Sequence, residues 1–397
     1  MRTKLTKIAF TAALVLATAF TLSCSGDGGG NNPAGGESEA KITKSKITGV
    51  SQKGPFVKGS SATLYELNDE FAQTGRSFRD IIADDYGKFE IKNVELASPY
   101  AMLEADGFYR NEVTGKTSTA PIKLYAIADI REKDNVNVNL LTHLEYYRVL
   151  NLVEGGKSVA EAKKQAQKEI LAVFGISGEF ENSEDMSIFG ATEGDAALLA
   201  ISILLQGDLS EGDFSQRLTD FAQDLKLSGA WGNEAAKADI ADWASVANLE
   251  GIRNGILGWG LSSEVPDFGE YVSDYWSESH GLDNCNVSNE GEISDKSSYN
   301  CLADMSSCTY VGWICKNSIW QNVLWSDILD FLGDCNEEMG ITVKAIPGAK
   351  KPMFPEDGLY YYVCTDGWGE WEWNSTNGWY LCHYYDSTIP RCEDYGK

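Results

Sequence analysis

The chain has 397 residues, of which 43% are hydrophobic and 23% charged, a composition that excludes an intrinsically disordered protein. Its formal net charge of −26 excludes a nucleic-acid role, because no Lys/Arg surface is available to neutralise phosphates. The same excess of acid argues against adsorption to anionic lipid, and the length suggests two or three domains.

The first 24 residues set the address. Arg2, Lys4 and Lys7 form a basic head, Ile8 to Leu22 is an apolar run, and Ser23 precedes Cys24. That order predicts a secretory signal peptide over residues 1–23, too short to span a bilayer. The cysteine at the cut resembles the lipobox of bacterial lipoproteins, with Leu22 next but one before Cys24 and Thr21 where that motif carries leucine. The resemblance implies a diacylated Cys24, with the acyl group as the membrane contact; cleavage without a lipid is the alternative. Residues 24–41 (through SGDGGGNNPAGGESEAK) are Gly/Asn/Ser-rich and read as a flexible tether.

Residues 42–138 carry strand signals. Ala62–Leu67, Lys88–Ile91 and Tyr100–Ala105 are rich in β-formers, separated by turns at Lys53-Gly-Pro, Asp85-Tyr-Gly87, Asn93 and Asp106-Gly107. Short strands at this spacing predict an antiparallel β-sandwich. The order Gly54-Pro-Phe-Val-Lys-Gly-Ser60, strand, Asp85-Tyr-Gly-Lys-Phe89, strand, Ala105-Asp-Gly-Phe-Tyr109 resembles the carboxypeptidase-regulatory-like sandwich, which implies a non-catalytic spacer or binding unit. Asp84-Asp-Tyr-Gly87 lacks the ligand spacing of a calcium loop and reads as a hairpin turn.

Residues 139–261 are predicted helical. Val136 and Val138 alternate with Asn, and after Leu140 the apolar period lengthens to a helical one. His143 falls on this turn with no second His or Cys nearby, which favours a structural role over a functional one. Ser158-Val-Ala-Glu161 is a capping box, followed by Ala162, Ala166, Ile170 and Phe174 on one face, with Gly175 as stop. Ala196–Leu205 is apolar on all sides and reads as a central buried helix. Ser210 to Asp213 opens another helix, with Phe214, Leu218, Phe221 and Leu225 inward, and Glu234 to about Asn254 supplies the last.

Residues 262–397 change character. Eight of the nine cysteines lie there: Cys285, Cys301, Cys308, Cys315, Cys335, Cys364, Cys382 and Cys392. An even number in an exported chain predicts a framework of up to four disulfides, with pairing left open. No C-x2-C pair occurs and His143, His280 and His383 are scattered, so no metal site is expected. Gly312-Trp-Ile-Cys-Lys-Asn-Ser-Ile-Trp320 is echoed by Tyr361-Tyr-Val-Cys-Thr-Asp-Gly-Trp368 and by Gly378-Trp-Tyr-Leu-Cys382. Each copy reads as strand, Cys, polar turn and Trp, a small hairpin stapled by a disulfide. This repeat, with Cys285-Asn-Val-Ser-Asn-Glu-Gly-Glu-Ile293 before it, resembles a paralogous set of surface lipoproteins from anaerobic fibre-degrading bacteria.

Trp371-Glu-Trp373 would place two indoles on one face of a strand, and Trp368 and Trp379 lie nearby. Exposed, these rings offer stacking platforms to sugars; buried, they fill the core of a small disulfide domain. Glu370 with Glu372, or Glu356 with Asp357, can be nominated as a glycosidase pair, but sequence density does not establish the separation that catalysis needs. No G-x-S-x-G, H-E-x-x-H or P-loop occurs.

The sequence therefore predicts an α+β multidomain protein: an N-terminal antiparallel β-sandwich, a central all-α domain and a C-terminal disulfide-rich small β domain. The expected function is that of a lipid-anchored protein of the outer membrane or cell surface, non-catalytic and without cofactors, binding extracellular plant cell-wall carbohydrate. Docking to another envelope protein is the alternative, with a carbohydrate-active enzyme as a third reading.

Overall fold

The computed structural model describes residues 41–283, 285–294, 298–301, 308–334, 342–350, 359–364, 375–376 and 379–382. The chain divides into Met1–Glu39 and Ala40–Lys397, and the first of these lies outside the described residues.

Seven strands come first: β1 (Ile42–Gln52), β2 (Ser61–Leu67), β3 (Gln73–Ile81), β4 (Lys88–Leu96), β5 (Tyr100–Gly107), β6 (Ile122–Asp129) and β7 (Val138–Asn139). They form two sheets, ordered β4-β1-β7 and β3-β2-β5-β6. Every pairing is antiparallel except that of β1 with β7. Alternation decides which residues enter the core. In β4, Phe89, Ile91, Val94 and Leu96 are buried, and Asn93, whose φ of 53° is left-handed, marks the point where the alternation slips by one residue. Asp84 Oδ1 accepts the backbone N–H groups of Tyr86 and Lys88, so the Asp84-Asp-Tyr-Gly87 stretch is a self-closed turn.

The turn into the helices rests on a close backbone approach. Thr48 N–H donates to the Asp134 carbonyl and Val136 N–H to the Thr48 carbonyl, each at 2.9 Å. A Cβ at Gly49 would stand 2.1 Å from the Val136 oxygen and 2.5 Å from the Phe89 ring. Gly49→Ala is expected to cost ~1–3 kcal/mol through overpacking, read as a lower urea midpoint with unchanged m-value.

Seven helices follow: α1 (Leu140–Glu154), α2 (Val159–Val173), α3 (Glu193–Gln206), α4 (Glu211–Ser228), α5 (Glu234–Ser245), α6 (Leu249–Leu257) and α7 (Gly269–Ser279). Their starts follow their caps. Asn139, Ser158 and Thr192 cap α1, α2 and α3 in reciprocal capping boxes with Thr142, Glu161 and Asp195. Ser210 caps α4, and Gly229 ends it in the left-handed conformation. The predicted inward faces of α2 and α4 are buried, and from Gly194 to Gln206 every residue of α3 is buried. Two features differ from the sequence expectation. The segment from Glu234 to Asn254 is two helices, because the Asn248 side chain accepts the Gly251 N–H and starts α6 afresh. Helix α7 lies beyond the expected helical limit at Leu261; Val272, Tyr275 and Trp276, three and four apart, are its buried stripe.

One hydrophobic cluster joins both sheets to the helices, with Ile47, Leu64, Phe89 and Leu103 from strands and Leu140, Ile170, Leu199 and Phe214 from helices. The C-terminal part contributes β8 (Ser298–Cys301), β9 (Cys308–Val311), β10 (Trp313–Lys316), β11 (Ile319–Asn322), α8 (Trp325–Leu332), β12 (Thr342–Lys350), β13 (Leu359–Cys364), β14 (Ser375–Thr376) and β15 (Trp379–Cys382). The order β14-β15-β13-β12-β8-β9 makes one sheet, and β10 with β11 makes a hairpin. That hairpin is the first copy of the repeat. Asn317 and Ser318 form its turn with φ of 55° and 62°, and Cys315 on β10 is disulfide-bonded to Cys285. Its indoles are core: Trp313 and Trp320 are buried, and Trp313 packs on Trp276 of α7.

Candidate functional site

A cavity of about 650 Å3 opens where β6, α1 and α4 meet. Tyr125 comes from β6, His143 and Tyr147 from α1, and Thr219, Gln223, Lys226 and Leu227 from α4. The periodicities place them. Tyr125 is the outward member between inward Leu124 and Ala126, and His143 and Tyr147 stand four apart on one helical face. His143 stacks on Tyr125 at 5.5 Å between centroids, and Tyr125 meets Tyr146 at 5.1 Å.

The lip is apolar and open to solvent, with Leu227 76% and Tyr147 39% exposed. Deeper in, burial pushes the His143 imidazole down to about 4, so the ring is neutral at pH 7, and its Nδ1 has no hydrogen-bond partner. Burial also raises the Tyr125 phenol, helped by the Glu104 carboxylate. Lys123 spans Glu104 and Asp106, 3.3 Å from each. Among the described residues lining the cavity there is no Asp or Glu. Such a site offers aromatic faces, amide and hydroxyl groups, a neutral imidazole and two lysines, Lys123 and Lys226, a set able to hold a polar ring.

Two buried polar clusters lie elsewhere. The first joins the end of β1 to α3. Lys53 and Glu112 are both 0% exposed, with Nζ 2.6 Å from Oε2. The Lys53 Nζ also reaches the Ser202 carbonyl at 3.4 Å, while the Ser202 hydroxyl donates to Glu112 Oε1 at 2.6 Å. The second cluster joins α1, α2 and the 3-10 turn Ser183–Asp185. Glu184 pairs with Lys163 at 2.7 Å and Lys133 at 2.8 Å, and the Ser183 hydroxyl donates to Glu145. Burial pushes the Glu145 carboxyl up to about 7 against the pull of Lys163.

Cys285 and Cys315 form a disulfide, as a framework member should. The backbones of Cys301 and Cys308 stand opposite each other between β8 and β9, and those of Cys364 and Trp379 between β13 and β15. Cys382 stands opposite Tyr361 in the same register. The remaining expected residues, Cys24, Cys335, Cys392, Trp368, Trp371 and Trp373, lie outside the described residues, as do Glu356, Asp357, Glu370 and Glu372. Among the described residues no cluster of three His, Cys, Asp or Glu is placed to hold a metal ion, and no helix is long and apolar enough to cross a membrane. Sequence reasoning noticed His143 but favoured a structural role for it, and it missed Tyr125 and Tyr147. The readable signal was the His143/Tyr147 spacing; its partner Tyr125 lies on a strand that only the fold brings alongside. Lys53 was read as turn punctuation, and nothing local to it announces Glu112.

Comparison of the chain with known protein families, curated proteins and solved structures returned no match.

Proposed function

We propose that this is an exported, lipid-anchored surface protein whose folded part binds extracellular carbohydrate without converting it. The observation that carries this reading is the cavity between β6, α1 and α4, with Tyr147 at its lip, Tyr125 and His143 in its wall, and no carboxylate in its described lining. Sugar rings are recognised by stacking on aromatic faces and by neutral donors and acceptors at their hydroxyls, and this site supplies both. Glycosidases of the usual kinds need two carboxyls across the scissile bond, which this lining does not offer. In the same reading, the two N-terminal sheets are a β-sandwich like that of carboxypeptidase-regulatory-like domains, followed by a helical and a disulfide-rich unit. Cys24 bears the lipid, and the resemblance to surface lipoproteins of fibre-degrading bacteria points to plant cell-wall polysaccharide as the ligand.

The test is retention of the whole chain on insoluble cellulose and xylan, with soluble oligosaccharides titrated by calorimetry. The wild type should be retained, and Tyr147→Ala should weaken binding about tenfold, equivalent to ~1.4 kcal/mol of lost stacking. A Trp371→Ala/Trp373→Ala variant run alongside separates the cavity from the C-terminal tryptophans. Wild-type protein that stays in the supernatant on every polysaccharide would sink the carbohydrate reading. A Tyr147→Ala variant that binds as the wild type does would remove the cavity from it.

A further inference from the structure

The Lys53–Glu112 pair is not part of the cavity lining and has features that an ordinary ion pair does not require. Both side chains are completely shielded from solvent, and Nζ touches Oε2 at 2.6 Å. The rings of Phe214 and Tyr109 close over the amine, their centroids 4.9 Å and 5.7 Å from Nζ, and the buried Tyr109 hydroxyl has no hydrogen-bond partner. The other carboxyl oxygen, Oε1, takes the Ser202 hydroxyl at 2.6 Å. The two carboxyl oxygens are thus differentiated, one against the amine and one against the Ser202 hydroxyl, which also reaches the Lys53 carbonyl at the longer distance of 3.2 Å.

We propose that Lys53 and Glu112 are a site of covalent self-modification, at which the amine and the carboxyl condense to an intramolecular amide. In a dry, aromatic-walled site the charged pair is costly, and a proton passing from Nζ to Oε2 leaves a neutral amine beside a neutral acid. Burial acts in that direction, holding the Lys53 amine below its ordinary value against the pull of Glu112. The Nζ lone pair then attacks Cδ of Glu112 and forms the N–C bond. Charge developing on Oε1 meets the Ser202 hydroxyl already directed at it. The Cδ–Oε2 bond breaks, and Oε2 leaves as water with its own hydrogen and one from Nζ, so the amide keeps a single N–H. The step needs no oxidant, reductant or co-reactant. Fixed contact between the groups supplies the effective concentration that drives condensation in place of bimolecular encounter.

The product would tie the end of β1 to the segment before β6, across 59 residues of chain. It suits a protein that works outside the cell, where a cross-link resists unfolding and reduction alike.

Peptide mapping decides it without any variant having to fold. The full chain is denatured, reduced and digested with trypsin, and the products are weighed by mass spectrometry. The expected product is a branched species joining residues 47–58 to 111–116, lighter by one water than its two parts, because cleavage after a condensed Lys53 is blocked. Fragmentation must place the junction at Lys53 and Glu112. Lys53→Arg and Glu112→Ala should each abolish the branched species. Recovery of 47–53, 54–58 and 111–116 as separate, full-mass peptides from the wild type overturns the proposal, as does a water loss mapped to any other residue.

Discussion

Glu112→Ala is expected to lower the stability of the folded part by at least ~3–5 kcal/mol, seen as a drop in the urea midpoint at pH 7. The substitution strips the fully buried Lys53 amine of its carboxyl partner, leaving it the Ser202 carbonyl at 3.4 Å, and leaves the Ser202 hydroxyl the Lys53 carbonyl at 3.2 Å. A second variant separates the two states of the pair. Lys53→Met/Glu112→Leu fills the site with apolar groups of similar size and so removes the orphaned amine. If the wild type holds the amide, this double variant remains below it, because a cross-link over 59 residues is worth about 4 kcal/mol in the unfolded chain by loop-closure arithmetic. Full recovery to wild-type stability would mark the pair as ionic.

The second large effect is a pH dependence set by Glu145. Its folded-state value is raised to about 7 by burial, while in the unfolded chain it titrates at the ordinary carboxylate value of 4.5. A group whose acid form is favoured by folding contributes stability that is fully present below its unfolded value and lost as pH rises through its folded value. The window therefore runs from about 4.5 to 7, and above it the folded protein carries a buried carboxylate it would otherwise protonate. Glu145→Gln keeps an oxygen for the Ser183 hydroxyl and cannot ionise. Relative to the wild type it should gain about 3 kcal/mol at pH 8 and nothing well below pH 4.5, measured by urea unfolding across that range. A difference that does not change with pH would show that Glu145 titrates in the folded protein as it does in the unfolded chain.

Much of the fold was legible because its signals are local. The capping box at Ser158 and Glu161, the apolar run of α3 and the 4-3-4 spacing of α4 each follow from contacts within a few residues, and each appears where the pattern puts it. The hairpin of β10 and β11 was readable for the same reason: Asn317 and Ser318 tolerate the left-handed backbone that a two-residue turn demands. Boundaries were less legible. The break between α5 and α6 depends on whether Asn248 caps a helix or sits within one, and both readings fit the apolar pattern. Helix α7 was overlooked because its stripe is short and lies in a segment whose cysteines and tryptophans point to a different organisation.

The candidate site was legible only in fragments. His143 stood out as a residue type and Tyr147 as its neighbour one turn on, yet a cavity needs a second wall, and Tyr125 and Lys226 come from elements 18 residues before His143 and 83 after it. The Lys53–Glu112 contact was invisible for the same reason, since a buried charge leaves no mark on hydrophobic periodicity.

The sequence by itself determined the acidity of the chain, the order of strands before helices, the helix caps and the turn chemistry. All of these are set by composition or by interactions between near neighbours in the chain. Tertiary structure alone decided that Lys53 meets Glu112, that Cys285 joins Cys315, and that β6, α1 and α4 enclose a cavity walled by Tyr125, His143 and Tyr147. Those contacts span tens of residues and form only when burial of the shared core brings distant segments together, so no local pattern encodes them.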